Sequence, residues 1–333
     1  MKQKLSKPRI ICVGANIESD VALRGLIKKK VNVVSLVTLP PEESDGVSDY
    51  VDLHPFCSTN NIKTIDTKDI NSTETCLHIK NENPDYIFVL GWSQIFKENL
   101  LSIPNEFIVG SHPSPLPEGR GRAPVPWTII QEKKESAITL FKMSKGVDSG
   151  EILVQKYFEV PTNSYASELY NVVAENLRDA FSEIYDNIIS NEIEFKVQDL
   201  EKSTYRGKRT PSDGFLNFEK SAYDIEKLIR AVSEPYPGAY TYYQNQKITI
   251  FRANNDEVTS YHGTKGQILA KKNNAIMVQA GDRPIWLSKF FINGKEVSSK
   301  YFKLGEKLGY HLEDELFALK KEISALKKII NDD

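Results

Sequence analysis

Residues 86–90, Tyr-Ile-Phe-Val-Leu, are apolar at every position. A strand that is apolar on both faces is stable only inside a sheet covered on both sides, the usual state of a parallel sheet in an α/β fold. The N-terminal sequence agrees. Ile10-Ile11-Cys12-Val13 reads as a buried strand closing at Gly14. A helix with Ala22, Leu23, Leu26 and Ile27 on one face follows, and residues 31–37 read as the next strand. That order predicts a right-handed βαβ crossover. Gly14-Ala15-Asn16 is a glycine turn, but the chain has no Gly-x-Gly-x-x-Gly there, so no dinucleotide site is expected. Residues 38–60 are polar and should wrap the surface, with a short strand at 62–65 and a helix around 74–81 beyond them.

A second apolar run, Phe107-Ile108-Val109, leads into Gly110-Ser111-His112-Pro113-Ser114-Pro115-Leu116-Pro117 and then Arg120-Gly121-Arg122-Ala123-Pro124. A histidine at the end of a strand, before a proline-stiffened loop, puts a titratable side chain at the sheet edge where open α/β folds carry chemistry. Downstream lies Lys145-Gly146-Val147-Asp148-Ser149-Gly150, joining two strands expected as an antiparallel pair at 136–143 and 152–158. Residues 166–190 carry apolar side chains at helical spacing and close the first domain.

These two motifs, with His112 and Asp148 separated by 36 positions, resemble the folate-dependent formyltransferase family, whose signatures are Asn-x-His-x-Ser-x-Leu-Pro, Arg-Gly-x-Ala-Pro and Gly-x-Asp-x-Gly. The resemblance covers about residues 8–300. It implies a Rossmann-like N-terminal domain with a mostly parallel sheet, a small β-rich open-barrel C-terminal domain, 10-formyltetrahydrofolate as formyl donor, and no metal. It implies His112 and Asp148 in proton transfer, and Leu90, Gln94, Ile95, Phe96, Gly146 and Val147 around the folate. Arg122, as the second arginine of Arg-Gly-Arg-Ala-Pro, and the segments at 209–211 and 230–239 resemble the branch that formylates nucleotide-linked amino sugars. Arg122, Gly110, Ser111, Arg209 and Asp213 are then the substrate-side candidates. The family's asparagine, two residues before the histidine, is Gly110 in this chain. Gln94, a backbone N–H or water is expected to compensate for the oxyanion donor. A catalytically impaired sugar-nucleotide-binding homologue and an aminoacyl-tRNA formyltransferase stay open as alternatives.

Composition limits the partners. With 45 acidic and 43 basic residues the net charge is −2, which gives no long-range attraction to nucleic acid. Three cysteines without metal spacing suit a reducing cytoplasm, and no run approaches the length of a membrane span. The remaining histidines form no ligand pattern, and Trp127 and Trp286 are expected in the core.

The domains are expected at 1–200 and 201–300, with a basic, polar linker at 205–213 and a helix at 304–333. Ser221-Ala222-Tyr223-Asp224 opens a helix that ends near Val232, ahead of Pro235 and Pro237. Short strands follow at 240–243, 247–251, 266–270, 275–279 and 284–290, with Asn293-Gly294 as a tight turn. In the terminal helix Leu312, Leu316, Leu319, Ile323, Leu326 and Ile330 are spaced 4, 3, 4, 3, 4, a heptad seam that predicts a homodimeric coiled coil.

Overall fold

In the computed structural model, β1 (Ile10–Gly14) is buried at all five positions because it lies in the middle of a seven-stranded sheet. Residues 7–47, 49–255, 260–310 and 312–331 are described. They fall into two units, Met1–Arg209 with Glu234–Tyr236, and Thr210–Ser233 with Pro237–Asp333.

In the first unit β1 is followed by α1 (Ile17–Lys28), β2 (Val33–Thr38), α2 (His54–Thr59), β3 (Lys63–Asp66), α3 (Thr73–Asn81) and β4 (Tyr86–Gly91). Then come α4 (Glu98–Leu101), β5 (Phe107–His112), β6 (Arg120–Gly121), α5 (Pro124–Ile130), β7 (Glu135–Lys142), β8 (Ile152–Glu159), α6 (Ala166–Ser190) and β9 (Tyr205–Arg206). The sheet order is β3-β2-β1-β4-β5-β7-β8; the first five strands are parallel, and β7 runs antiparallel to both its neighbours.

Both faces of the central strands are apolar, and each is covered. Ile11, Val13, Val37, Ile87, Val89 and Ile108 pack together with Phe96 and Leu100. On the opposite face Phe88 meets Phe181 of α6 at 5.2 Å between ring centres. The helix α1 starts at an Asn16 cap, whose Oδ1 accepts from the Ser19 N–H at 2.9 Å and hydroxyl at 2.6 Å. The strand order reverses between β1 and β4, and the carboxyl ends of strands on either side of such a switch leave a crevice.

The strand carrying the histidine ends at His112, as expected, with residues 109–112 paired to β7. One expectation changes. The segment from 205 is not a free linker. Its β9 pairs in parallel with β6, with Arg120 N–H on Thr204 O at 2.9 Å and Arg122 N–H on Arg206 O at 3.0 Å. Arg206 is buried there, its guanidinium shared among Pro124 O, Thr128 Oγ1 and Gln131 Oε1. The first unit therefore reaches Arg209 rather than 200.

The second unit holds α7 (Ala222–Val232), β10 (Ala239–Tyr243), β11 (Gln246–Asn254), β12 (Ile268–Lys272), β13 (Ala275–Gln279), β14 (Pro284–Ile292), β15 (Lys295–Val297) and α8 (Leu312–Asn331). The Ser221 hydroxyl caps α7 by accepting from Asp224 N–H at 3.0 Å. All six strands join in one antiparallel sheet, β10-β11-β14-β13-β12 with β15 on β14. Asn293 and Gly294 both have positive φ, 49° and 75°, the two-residue hairpin turn that suits strand twist.

Candidate active site

A cleft of about 780 Å³ runs along the carboxyl ends of the parallel strands, within the size range of small-molecule sites. Asn16 after β1, Leu39 after β2, Lys68 after β3, Gly91 to Phe96 after β4 and Gly110 to Pro113 on β5 all reach it.

His112 ends β5 and is buried. Its Nε2 lies 2.8 Å from the carbonyl oxygen of Gly119. A carbonyl only accepts, so Nε2 carries the hydrogen, and Nδ1 is the nitrogen whose protonation can change. Nδ1 faces Asp148 Oδ2 at 3.7 Å, an ion-pair distance too long for a direct hydrogen bond. Asp148 stands in the β7–β8 loop with φ +48°, and its Oδ2 accepts from the Gly121 N–H at 2.8 Å. An imidazole and a carboxylate from distant motifs thus meet in one cleft. Such a pair can take a proton from a substrate and stabilise the imidazolium that results.

Behind the pair is a brace with no signature in the sequence. Gln198 donates to the carbonyls of Asp148 at 2.9 Å and Gly150 at 2.7 Å, while its Oε1 accepts from buried Arg120 at 2.7 Å. At Gly150 a side chain is excluded, since a Cβ would lie 1.7 Å from Lys142 O.

The other candidates divide. Gly110 reaches the cleft, but the space beside it is filled: a Cβ there would stand 2.7 Å from Met143 Cγ and 2.9 Å from Phe141 Cζ. Ser111 donates its hydroxyl to Val89 O at 2.8 Å, tying β5 to β4. Gln94 lies at the cleft, yet both ends of its amide are engaged, Oε1 by Ile70 N–H at 2.9 Å and Nε2 by Lys68 O at 2.5 Å. Those two bonds fix the orientation of the amide and use one of the two N–H donors on Nε2. Leu90 is fully buried on the face of the sheet toward α1, close to Gly14. Its neighbours Val89 and Gly91 line the cleft instead, because side chains alternate along a strand.

Ile95, Phe96, Gly146 and Val147 do line it, and Ile95 is 66% and Val147 46% exposed, apolar surface left open to a ligand. Arg122 lines it as an exposed side chain. Arg209 also lines it, with its guanidinium 5.2 Å over the ring of Trp127, whose Nε1 donates to Gly207 O at 2.9 Å. Asp213 falls in the second unit and commits its carboxylate locally, accepting from the Thr210 N–H at 2.6 Å and hydroxyl at 3.0 Å.

Sequence reasoning missed a further wall, made by Asn16, Glu18, Asp49, Tyr170 and Tyr236. Asn16 Nδ2 lies 3.2 Å from Glu18 Oε2 and 3.3 Å from Asp49 Oδ2, and the two tyrosine hydroxyls are 2.8 Å apart. Burial, reinforced by Asp49, pushes the Glu18 carboxyl up to about 8 against the Asn16 hydrogen bond. Burial also raises Asp49. Near neutrality Glu18 is mostly a neutral acid that can donate a hydrogen bond. The signal available was a carboxylate two residues past the turn after the first strand; nothing in the sequence joins it to Asp49 or Tyr236. Among the described residues no group of three or more His, Cys, Asp or Glu side chains could hold a metal ion, and no helix is long and apolar enough to cross a membrane.

The chain matches the formyl transferase family over residues 14–184, more than half its length, and the formyl transferase C-terminal domain over residues 208–306. A methionyl-tRNA formyltransferase from Acetivibrio thermocellus is 26% identical over 309 residues, 90% of this chain and 97% of that protein. The N-formyltransferase from Helicobacter canadensis, solved with folinic acid and dTDP-3-aminofucose, is similar with a TM-score of 0.63 at 20% identity, covering 86% of this chain and 100% of that one. HypX from Aquifex aeolicus, solved with tetrahydrofolic acid, gives 0.65 at 16% identity, covering 92% of this chain and 51% of that one. At these identities the two structures speak for the fold alone. The sheet order, the pair of motifs at its edge and the two matched domains agree, and the chain belongs to the folate-dependent formyl transferase family.

Proposed function

We propose that this enzyme transfers the formyl group of 10-formyltetrahydrofolate to the amine of a nucleotide-linked amino sugar, in the cytoplasm. The observation that carries the reading is the mixed lining of the one cleft that holds His112 and Asp148. Val89, Ile95, Phe96, Met143 and Val147 contribute apolar lining suited to a pteridine ring. Arg122, Lys208 and Arg209 contribute three cations, and a diphosphate would gain from their fork-shaped and point-charge contacts. The Helicobacter relative binds a dTDP-amino sugar, in line with that arrangement.

The bound donor supplies a formyl carbon carried on nitrogen. His112 Nδ1 takes the proton released as the acceptor amine bonds to that carbon, and returns one to the departing nitrogen. Gly119 O keeps the hydrogen on Nε2 throughout. Asp148 stabilises the imidazolium while the Gly121 N–H fixes the carboxylate. The three cations hold the nucleotide, and Glu18, Asp49 and Asn16 hydrogen-bond the sugar.

The second reading is formylation of an aminoacyl-tRNA, favoured by sequence relatives such as the Acetivibrio enzyme. The net charge of −2 weighs against it. A panel of UDP-, dTDP-, GDP- and CMP-linked amino sugars with the folate donor, read by mass, should give one formylated product. His112→Ala should lower its rate by about 10²–10⁴-fold. Product from charged initiator tRNA and from none of the sugars would replace this reading with the second.

A further inference from the structure

The terminal helix α8 leaves its apolar seam in solvent. Leu312, Leu316, Leu319, Ile323, Leu326 and Ile330 are 66, 47, 52, 50, 58 and 71% exposed. Six large apolar residues on one line of a 20-residue helix require a partner surface, since singly scattered exposure is ordinary but a continuous stripe is not. We propose that α8 is the assembly element of the enzyme and that its partner is a second copy of this helix, paired in parallel and in register as a two-stranded coiled coil.

The charges choose this partner and this direction. With Leu312, Leu319 and Leu326 at d, and Leu316, Ile323 and Ile330 at a, Glu315 and Glu322 fall at g and Lys320 and Lys327 at e. In a parallel pair each g residue faces the e residue five positions on in the other helix. Glu315 then meets Lys320 of the second copy and Glu322 meets Lys327, four attractive contacts by symmetry. An antiparallel pair places g against g and e against e, so glutamates would face glutamates and lysines face lysines. A slip by one heptad removes half of the attractive pairs. Isoleucine at two of the three a positions, with leucine at every d, favours two strands over three or four. No surface of another protein is needed to satisfy this pattern, because the helix is complementary to itself. Ile329, 63% exposed and at g, widens the seam at its carboxyl end, where the ion pairs stop.

The full-length protein at micromolar concentration should sediment at twice its 37.8 kDa chain mass. Leu319→Asp with Ile323→Asp should give a monomer whose formyl transfer per chain and far-UV signal match wild type. A Leu319→Cys variant should form a 319–319 disulfide quantitatively under mild oxidation, as only a parallel, in-register pair allows. Glu315→Lys with Glu322→Lys should weaken self-association at least tenfold, and mixing it with Lys320→Glu/Lys327→Glu should restore a mixed dimer. A monomeric wild type overturns the proposal. So does a dimer that survives the double aspartate substitution, or a 319 cysteine that fails to cross-link within a dimer.

Discussion

Gly110 carries the largest consequence of any single residue. An asparagine cannot simply be restored there, because Met143 and Phe141 occupy the volume it would need. Gly110→Asn alone should therefore destabilise the protein by about 1–3 kcal/mol, the usual cost of overpacking, without raising turnover. Gly110→Asn with Met143→Ala should recover stability and raise kcat, read by thermal unfolding and initial rates. Recovery of activity by the single substitution would mean that the methionine moves aside freely.

Glu18 makes a second prediction at this scale. Its pKa of about 8 in the folded protein stands above the ordinary carboxyl value of 4.5, so the native state holds the proton more tightly than the unfolded chain. Its stabilising contribution is then complete below about 4.5 and is lost as pH rises through about 8. Glu18→Gln should flatten the fall in melting temperature across that window. An unchanged slope would show that Glu18 is solvated. Glu18 also shows the limit of reading residues one at a time. Its identity is plain in the sequence, while its burial against Asp49 and Asn16 exists only in the fold.

Among elements, the hairpin of β7 and β8 decides whether the site is assembled. Its loop carries Asp148, and Gln198, from the segment after α6, holds that loop by two backbone carbonyls. Gln198→Leu keeps the volume and removes both hydrogen bonds. It should lower kcat by about tenfold or more through misplacement of Asp148, with a smaller change in KM for the folate. Equal kcat in the variant would show that the β-hairpin holds the loop alone. The helix α6 was legible to the residue, because its apolar positions recur at helical spacing over 25 residues and no other period fits. The pairing of β6 with β9 was not. Two-residue strands have no period, and Tyr205–Arg206 became a strand only because Arg120–Gly121 lay beside it.

For the whole molecule the cleft predicts linkage. A ligand that binds only the folded state stabilises it by RT ln(1 + [L]/Kd), about 2.7 kcal/mol at a hundredfold excess over Kd. Tetrahydrofolate should raise the melting temperature of wild type, and also of His112→Ala, since the substitution leaves every apolar side chain of the cleft in place. Loss of the shift in His112→Ala would place the imidazole in folate binding itself.

By itself the sequence determined what depends on neighbours in the chain. Continuous apolar runs required a doubly covered parallel sheet, the spacing of helices and proline-glycine turns fixed the elements, and two motifs marked the end of the strand that carries His112 and the loop that carries Asp148. Only the tertiary structure decided what depends on neighbours in space. It turned Leu90 away from the cleft, engaged the amide of Gln94, filled the gap at Gly110 with Met143, and set Glu18 beside Asp49. Periodicity reports which face a side chain takes, whereas packing density and hydrogen-bond satisfaction are settled by groups tens of residues away.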